Sequence, residues 1–272
     1  LGAGCMLAVG FGFGWVNAAA DYSRYLPRNA STRGVVGWTT FGASLPVLVL
    51  VCFGVLLVGS SGAELSQKIG DDPIGALTTL LPTWFLIPFA VVAILGLVGG
   101  IVMDIYSSGL SLLATGVPVS RPVATAIDGT IMTLGTIVVV FFADSFLTPF
   151  TAFLTTLGVV IAAWAGVMLA DIALRHKEYD DVDLFSPAGS YGSVNWGAMA
   201  SLVIASFVGW GLVVNTGASW LSWQGYLLGP LGLGGRQGSW AGANLGILLA
   251  LVIGFAGYWI SSAKRVRRQE ER

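Results

Sequence analysis

Seven apolar segments dominate the sequence, at about 2–20, 36–59, 84–115, 124–143, 147–174, 196–215 and 240–262. A helix needs about 20 consecutive apolar residues to cross a bilayer, where only internal hydrogen bonds can satisfy its backbone. Several of these runs reach that length, so the expected fold class is all-α, a polytopic helical membrane protein. Composition agrees: 55% of the 272 residues are hydrophobic, 10% are charged, and the mean hydropathy is +0.82. Soluble domains carry about 25% charged residues. The third and fifth runs exceed the minimum span, which implies tilt, a break or extension past the bilayer.

Several function classes drop out. The net charge is −1 and no basic-aromatic patch occurs, so no nucleic-acid partner is expected. Cys5 and Cys52 sit singly in apolar runs without CxxC spacing, and His176 is the only histidine; neither pattern makes a metal or redox site. HExxH, GxSxG and P-loop patterns are absent, no paired acids or ligand clusters lie at span depth, and the chain is expected not to be an enzyme. No cofactor is implied. "GPLGLGGRQG" at 229–238 has no GKS/T ending and reads as a flexible loop, and Trp220, Trp223, Tyr226 and Trp240 around it read as an interfacial aromatic belt.

Charge placement orients the spans. With seven crossings, one side receives Arg24, Arg28, Arg33, Arg121, Arg175, Lys177, Lys264, Arg265, Arg267, Arg268 and Arg272; the other receives Lys68 and Arg236. By the positive-inside rule the richer side is cytoplasmic, which places the carboxyl terminus there. The tail "KRVRRQEER" could bind anionic lipid, and its plainer reading is an ordinary positive stop after the last span. Between the second and third runs, Asp72 and Pro73 form an N-cap and N1 pair that predicts a short surface helix. The chain opens on Leu1 inside an apolar run, and a fragment lacking its amino-terminal part is expected.

An ionisable residue at the centre of a span costs roughly 2.5–3.5 kcal/mol or more, so it marks function by default. Asp21, Asp128, Asp144 and Asp171 fall near span ends; Asp104 does not. It follows Gly99 and Gly100 and precedes Tyr106, Ser107 and Ser108, a setting suited to a polar cavity. The first span carries Gly10, Gly12, Gly14 and Trp15. Gly10, Gly14 and Ala18 fit the small-xxx-small pattern for close helix packing. A helix unwound around Gly12–Gly14 fits equally, exposing backbone polar groups to a ligand, with Trp15 for stacking and Asn17 as donor and acceptor. Asp21 and Arg24 at i,i+3 can pair before Pro27 ends the helix, as a gate or an interface anchor.

"GWVNAAADYSRYLPRNAS", "MDIYSSGLSL" and "AGVMLADIAL" followed by "DLF" and "YGSVNW" resemble, in order, segments of the nucleobase–cation symporter-1 family, in particular its purine–cytosine permease branch. The resemblance implies a leucine-transporter-like fold of five-plus-five inverted repeats with two peripheral helices. On that reading residues 1–175 are the second repeat, its first span broken near Gly12–Gly14. Residues 176–195 are a cytoplasmic loop, and 196–272 are two peripheral spans and a basic tail. Five preceding spans would complete the transporter.

The resemblance also implies the site. Trp15, with Phe13 as its rival, would stack on the base, beside Gly14 and Asn17. Asp104 stands where relatives carry an amide that hydrogen-bonds substrate. Sodium-coupled relatives place hydroxyls at the positions of Val98 and Gly99, which have no side-chain oxygen here. Proton coupling is therefore expected over sodium, with Asp104 as carrier because burial raises a carboxylate pKa. The expected function is import of a nucleobase such as cytosine or a purine by proton symport in a cell (inner) membrane. The alternatives are carriage of another small solute, such as an allantoin- or hydantoin-like compound or an amino acid, and a channel or membrane scaffold.

Overall fold

A computed structural model describes residues 1–16, 18–27, 29–142 and 147–271. Among these the secondary structure is helical throughout, without strands. The helices are α1 (Gly2–Val16), α2 (Ala19–Ser23), α3 (Thr32–Ser60), α4 (Ala63–Asp71), α5 (Pro73–Leu80), α6 (Thr83–Ala114), α7 (Arg121–Phe142), α8 (Leu147–Leu174), α9 (Asp181–Leu184), α10 (Trp196–Trp210) and α11 (Leu245–Glu270). Five of them, α3, α6, α7, α8 and α11, are long and apolar enough to cross a membrane, while α1 and α10 are shorter. The chain divides into two compact units, one of Leu1–Asn17 with Thr148–Arg272 and one of Ala18–Leu147.

Local chemistry sets the helix ends. The Ser31 hydroxyl accepts from the Gly34 N–H at 3.3 Å and starts α3 a turn ahead of its apolar run. Asp72 caps α5 through the Gly75 N–H at 2.9 Å with Pro73 at the first helical position, as the cap pattern predicts. Helix α6 ends where Gly116 takes a left-handed φ of 85°, a conformation that costs a glycine nothing. Its 32 residues make a rod of about 48 Å at 1.5 Å per residue, longer than a ~30 Å hydrocarbon core.

In the Ala18–Leu147 unit, α6 packs on α7 where Gly109 faces Thr125, and a Cβ at Gly109 would lie 2.9 Å from the Thr125 hydroxyl. The other unit has a core of small and β-branched residues: Cys5 and Val9 of α1, Val159, Ala162 and Ala163 of α8, Ala205 of α10, and Ile247 and Ala250 of α11. Its helix crossings run through glycines. Gly166 of α8 lies on the backbone of α11 at Leu251 and Phe255, Gly254 of α11 on Ala163, and Gly209 of α10 on Gly246. Removing side chains lets backbones approach, which drives association where lipid removes the hydrophobic incentive.

The stretch from 211 to 244 folds as a cap, in which the glycine-rich segment 229–238 is largely exposed. Leu221, Gln224 and Leu228 are fully buried. The Gly225 N–H donates to the Trp210 carbonyl and the Leu227 N–H to the Gly211 carbonyl, both at 2.9 Å. Asn215 donates to the Ala152 carbonyl at 2.9 Å and Gln224 to the Thr156 hydroxyl at 3.2 Å. These bonds also explain why α10 stops at Trp210, short of the expected residue 215: the apolar sequence continues, but its backbone partners lie in the cap.

Candidate substrate and coupling site

The glycine-rich start is helical throughout, in place of an unwound stretch. Residues Ala8–Phe13 adopt a π-helix, and the Gly14 N–H reaches back to the Val9 carbonyl before α-helix resumes over Gly14–Val16. Such wide turns occur disproportionately at functional sites. Val9 is buried against Gly158, where a Cβ would sit 2.7 Å from the valine side chain. Phe13 packs on the edge of the same core, whereas Trp15 is 42% exposed. A Cβ at Gly10 or Gly12 would meet no described atom within 4 Å, so the small-xxx-small packing available to Gly10 is not used there. Asn17 lies outside the described residues.

In the other unit, α2 and the turn after it lie along α6 beside Asp104. The Asp21 carboxylate accepts from the Ser107 hydroxyl at 2.5 Å, and the Tyr22 hydroxyl donates to the Met103 carbonyl at 3.2 Å. The Tyr25 and Tyr106 hydroxyls share a hydrogen bond of 2.5 Å. The Arg121 guanidinium stands 4.9 Å from the Tyr106 ring centre. Burial, then the charges of Asp104 and Asp21, raise the Tyr22 phenol. Asp21 is bound to Ser107, and Arg24 lies 5.9 Å from the Tyr25 ring centre. No ion pair joins Asp21 to Arg24 among the described residues, so the i,i+3 pairing expected on α2 is replaced by bonds to α6. The physical reason is reach: a hydroxyl on the adjoining helix satisfies the carboxylate without ordering a long arginine. Asp104 itself is exposed on α6, not buried.

A dense polar cluster surrounds an acid that span position alone had set aside. Asp171, 6% exposed near the end of α8, accepts from Arg175 Nε at 2.9 Å and from the hydroxyls of Tyr179 and Tyr258. Arg175 also donates to Gln269 at 3.0 Å and lies 4.2 and 5.4 Å from the ring centres of Tyr179 and Tyr191. The i,i+4 spacing of Asp171 and Arg175 was a readable signal; the two tyrosines were not.

Burial, then the hydrogen bond to Asp171 and its charge, push Tyr179 up to about 12. The neutral phenol is the form the fold favours, so its stabilising contribution is complete below the ordinary value near 10 and is lost as pH rises through about 12. Thermal unfolding is therefore expected to show a falling midpoint across that alkaline window. The fall should be shallower in Tyr179→Phe; an identical fall there would mean that Tyr179 does not carry it.

Five bilayer-length apolar helices and an acid deep within one of them define a multi-pass membrane protein. The chain belongs to the family of permeases for cytosine/purines, uracil, thiamine and allantoin, whose sequence profile matches residues 1–229; these are transporters, not enzymes. A Bacillus subtilis (strain 168) protein named as a candidate purine-cytosine permease, YxlA, is 24% identical over 199 residues, which cover 68% of this chain and 41% of that protein. The chain thus spans about two fifths of that relative's length. No solved structure matches the chain.

Proposed function

We propose that the chain is part of a secondary transporter that imports a nucleobase, cytosine or a purine, together with a proton. The observation that carries this reading is Asp104. It lies about 20 residues into the 32-residue apolar helix α6 and beside the turns where α2 is fastened to α6 by Asp21–Ser107 and Tyr22–Met103. An acid at such depth is costly unless it is protonated or paired. A carboxyl that is protonated can donate to a base nitrogen or carbonyl, and one that is ionised can only accept. Loading with proton and substrate together is the state this chemistry favours.

Trp15 is the stacking ring of the proposal, because it is exposed while Phe13 is engaged with the core; Gly14 and Asn17 would lie beside the bound base. Residues 1–175 would act as one inverted repeat, 176–195 as a cytoplasmic loop, and 196–272 as peripheral helices ending in a cytoplasmic basic tail in the inner membrane. Asp21 and Arg24 would sit at the cytoplasmic gate.

The test is uptake of labelled cytosine, adenine and allantoin by cells producing the full-length protein, with and without a protonophore. At least one substrate is expected to accumulate and to be lost with the proton gradient. Asp104→Asn is expected to lower uptake at least tenfold or to abolish its pH dependence, since the amide carries no proton. Uptake that needs sodium and ignores the protonophore would sink the coupling, and no uptake of any of the three would sink the substrate class.

A further inference from the structure

We propose that the basic end of α11 and the loop before α10 form a binding site for the phosphodiester of an anionic phospholipid. Two hollows adjoin there, of about 250 and 300 Å³, and both are lined by Arg265 and Gln269. The lining of the larger is Ser190, Arg265, Arg268 and Gln269, two guanidiniums without a carboxylate. The smaller has apolar walls that include Trp164, Met168 and Leu184. Its carboxylate, Asp171, is paired with Arg175, so the charges of those two cancel. What remains in the joint lining is the positive charge of Arg265 and Arg268.

Two acids of the adjoining segments, Asp183 and Glu270, are held by hydrogen bonds that orient them without neutralising them. Asp183 accepts from the Ser190 N–H and hydroxyl at 3.2 and 2.6 Å, and Glu270 from the His176 and Lys177 N–H groups at 2.6 and 3.0 Å. The walls are also held in place without a ligand. Arg265 donates to the carbonyls of Tyr191 and Val194, and Gln269 donates to the Ser190 carbonyl at 3.3 Å while accepting from Arg175. Planar guanidiniums match the paired oxygens of a phosphate better than a point charge does. A lipid fits the pair of hollows because the cationic one adjoins a recess with Trp164, Met168 and Leu184 along one wall, at the end of a helix of bilayer length. Basic pockets between helices at a membrane surface recognise such headgroups.

The experiment measures affinity for short-chain phosphatidylglycerol, with phosphatidylcholine and inorganic phosphate alone as comparison probes, on the purified full-length protein in neutral detergent. Phosphatidylglycerol is expected to bind and the other two to bind at least tenfold more weakly. Arg265→Gln with Arg268→Gln is expected to lower the affinity roughly 30-fold, and the charge-matched Lys264→Gln with Arg267→Gln, outside both linings, by less than about fivefold. Equal losses in the two double variants would overturn the site in favour of diffuse attraction to a basic tail. Inorganic phosphate binding as tightly as the lipid would overturn the lipid assignment. Should the first double variant not fold, Arg268→Gln alone serves, because its guanidinium bonds the Lys264 carbonyl of its own helix; a roughly fivefold loss is expected, and no loss overturns the site. Binding is read without transport, so neither outcome touches the nucleobase reading.

Discussion

Asp171→Ala is expected to destabilise the chain by about 3–5 kcal/mol, the cost of breaking a buried ion pair by removing one partner. The side chains of Asp171 and Arg175 are 8% and 12% exposed, so the arginine left behind would be a charge without its counter-ion in a poorly solvated place. Two phenols would lose their acceptor as well, since Tyr179 and Tyr258 both donate to Asp171. Because Tyr258 lies on α11 and Asp171 on α8, the loss should appear as loosening between these helices. Thermal unfolding in detergent measures the first effect, and hydrogen exchange at α11 the second. Replacing the pair together, Asp171→Leu with Arg175→Met, is expected to recover much of the loss, because no buried charge then lacks a partner. An unchanged midpoint in Asp171→Ala would show that water reaches the cluster and that its bonds contribute little.

Gly166→Leu is expected to cost about 3 kcal/mol or more, at or above the top of the range for overpacking a core. A Cβ there would overlap the Leu251 carbonyl and lie 2.8 Å from the Phe255 nitrogen. Those atoms belong to the backbone of α11 and cannot rotate away, so the whole helix must move. Gly10→Ala is the contrast: the space around Gly10 is open, and its stability is expected to change by no more than ~1 kcal/mol, the helix-propensity difference. Unfolding midpoints of the two variants, compared in one detergent, separate close packing from mere helix propensity. Equal midpoints would mean that the α8–α11 crossing tolerates a larger separation.

Both glycines sit in apolar helices and in small-xxx-small runs, Gly10–Gly14–Ala18 and Gly158–Ala162–Gly166–Ala170, yet of the two it is Gly166 on which a helix closes, which marks the limit of what a pattern can tell. The candidate site divides in the same way. The position of Asp104 inside the long helix α6 was legible, because a charge inside a long apolar run stands out by local contrast. The fastening of Asp21 to Ser107, 86 positions away in the sequence, was not, and an i,i+3 arginine was the nearer guess.

By itself the sequence determined that this chain is helical and multi-pass, where its long helices run, and that Asp72 opens α5. These are decided within a few tens of residues, by the cost of exposing apolar side chains to water and of leaving helix ends without partners. Only the tertiary structure decided which polar groups meet. It joined Asp171 to Tyr258 across 87 positions, folded the segment after α10 back onto the helices as a cap, and made Ala8–Phe13 a π-helix with Val9 buried and Trp15 exposed. Hydropathy adds up along the chain and can be read there. A hydrogen bond or a helix crossing depends on distances between remote residues, which exist only once the helices have packed.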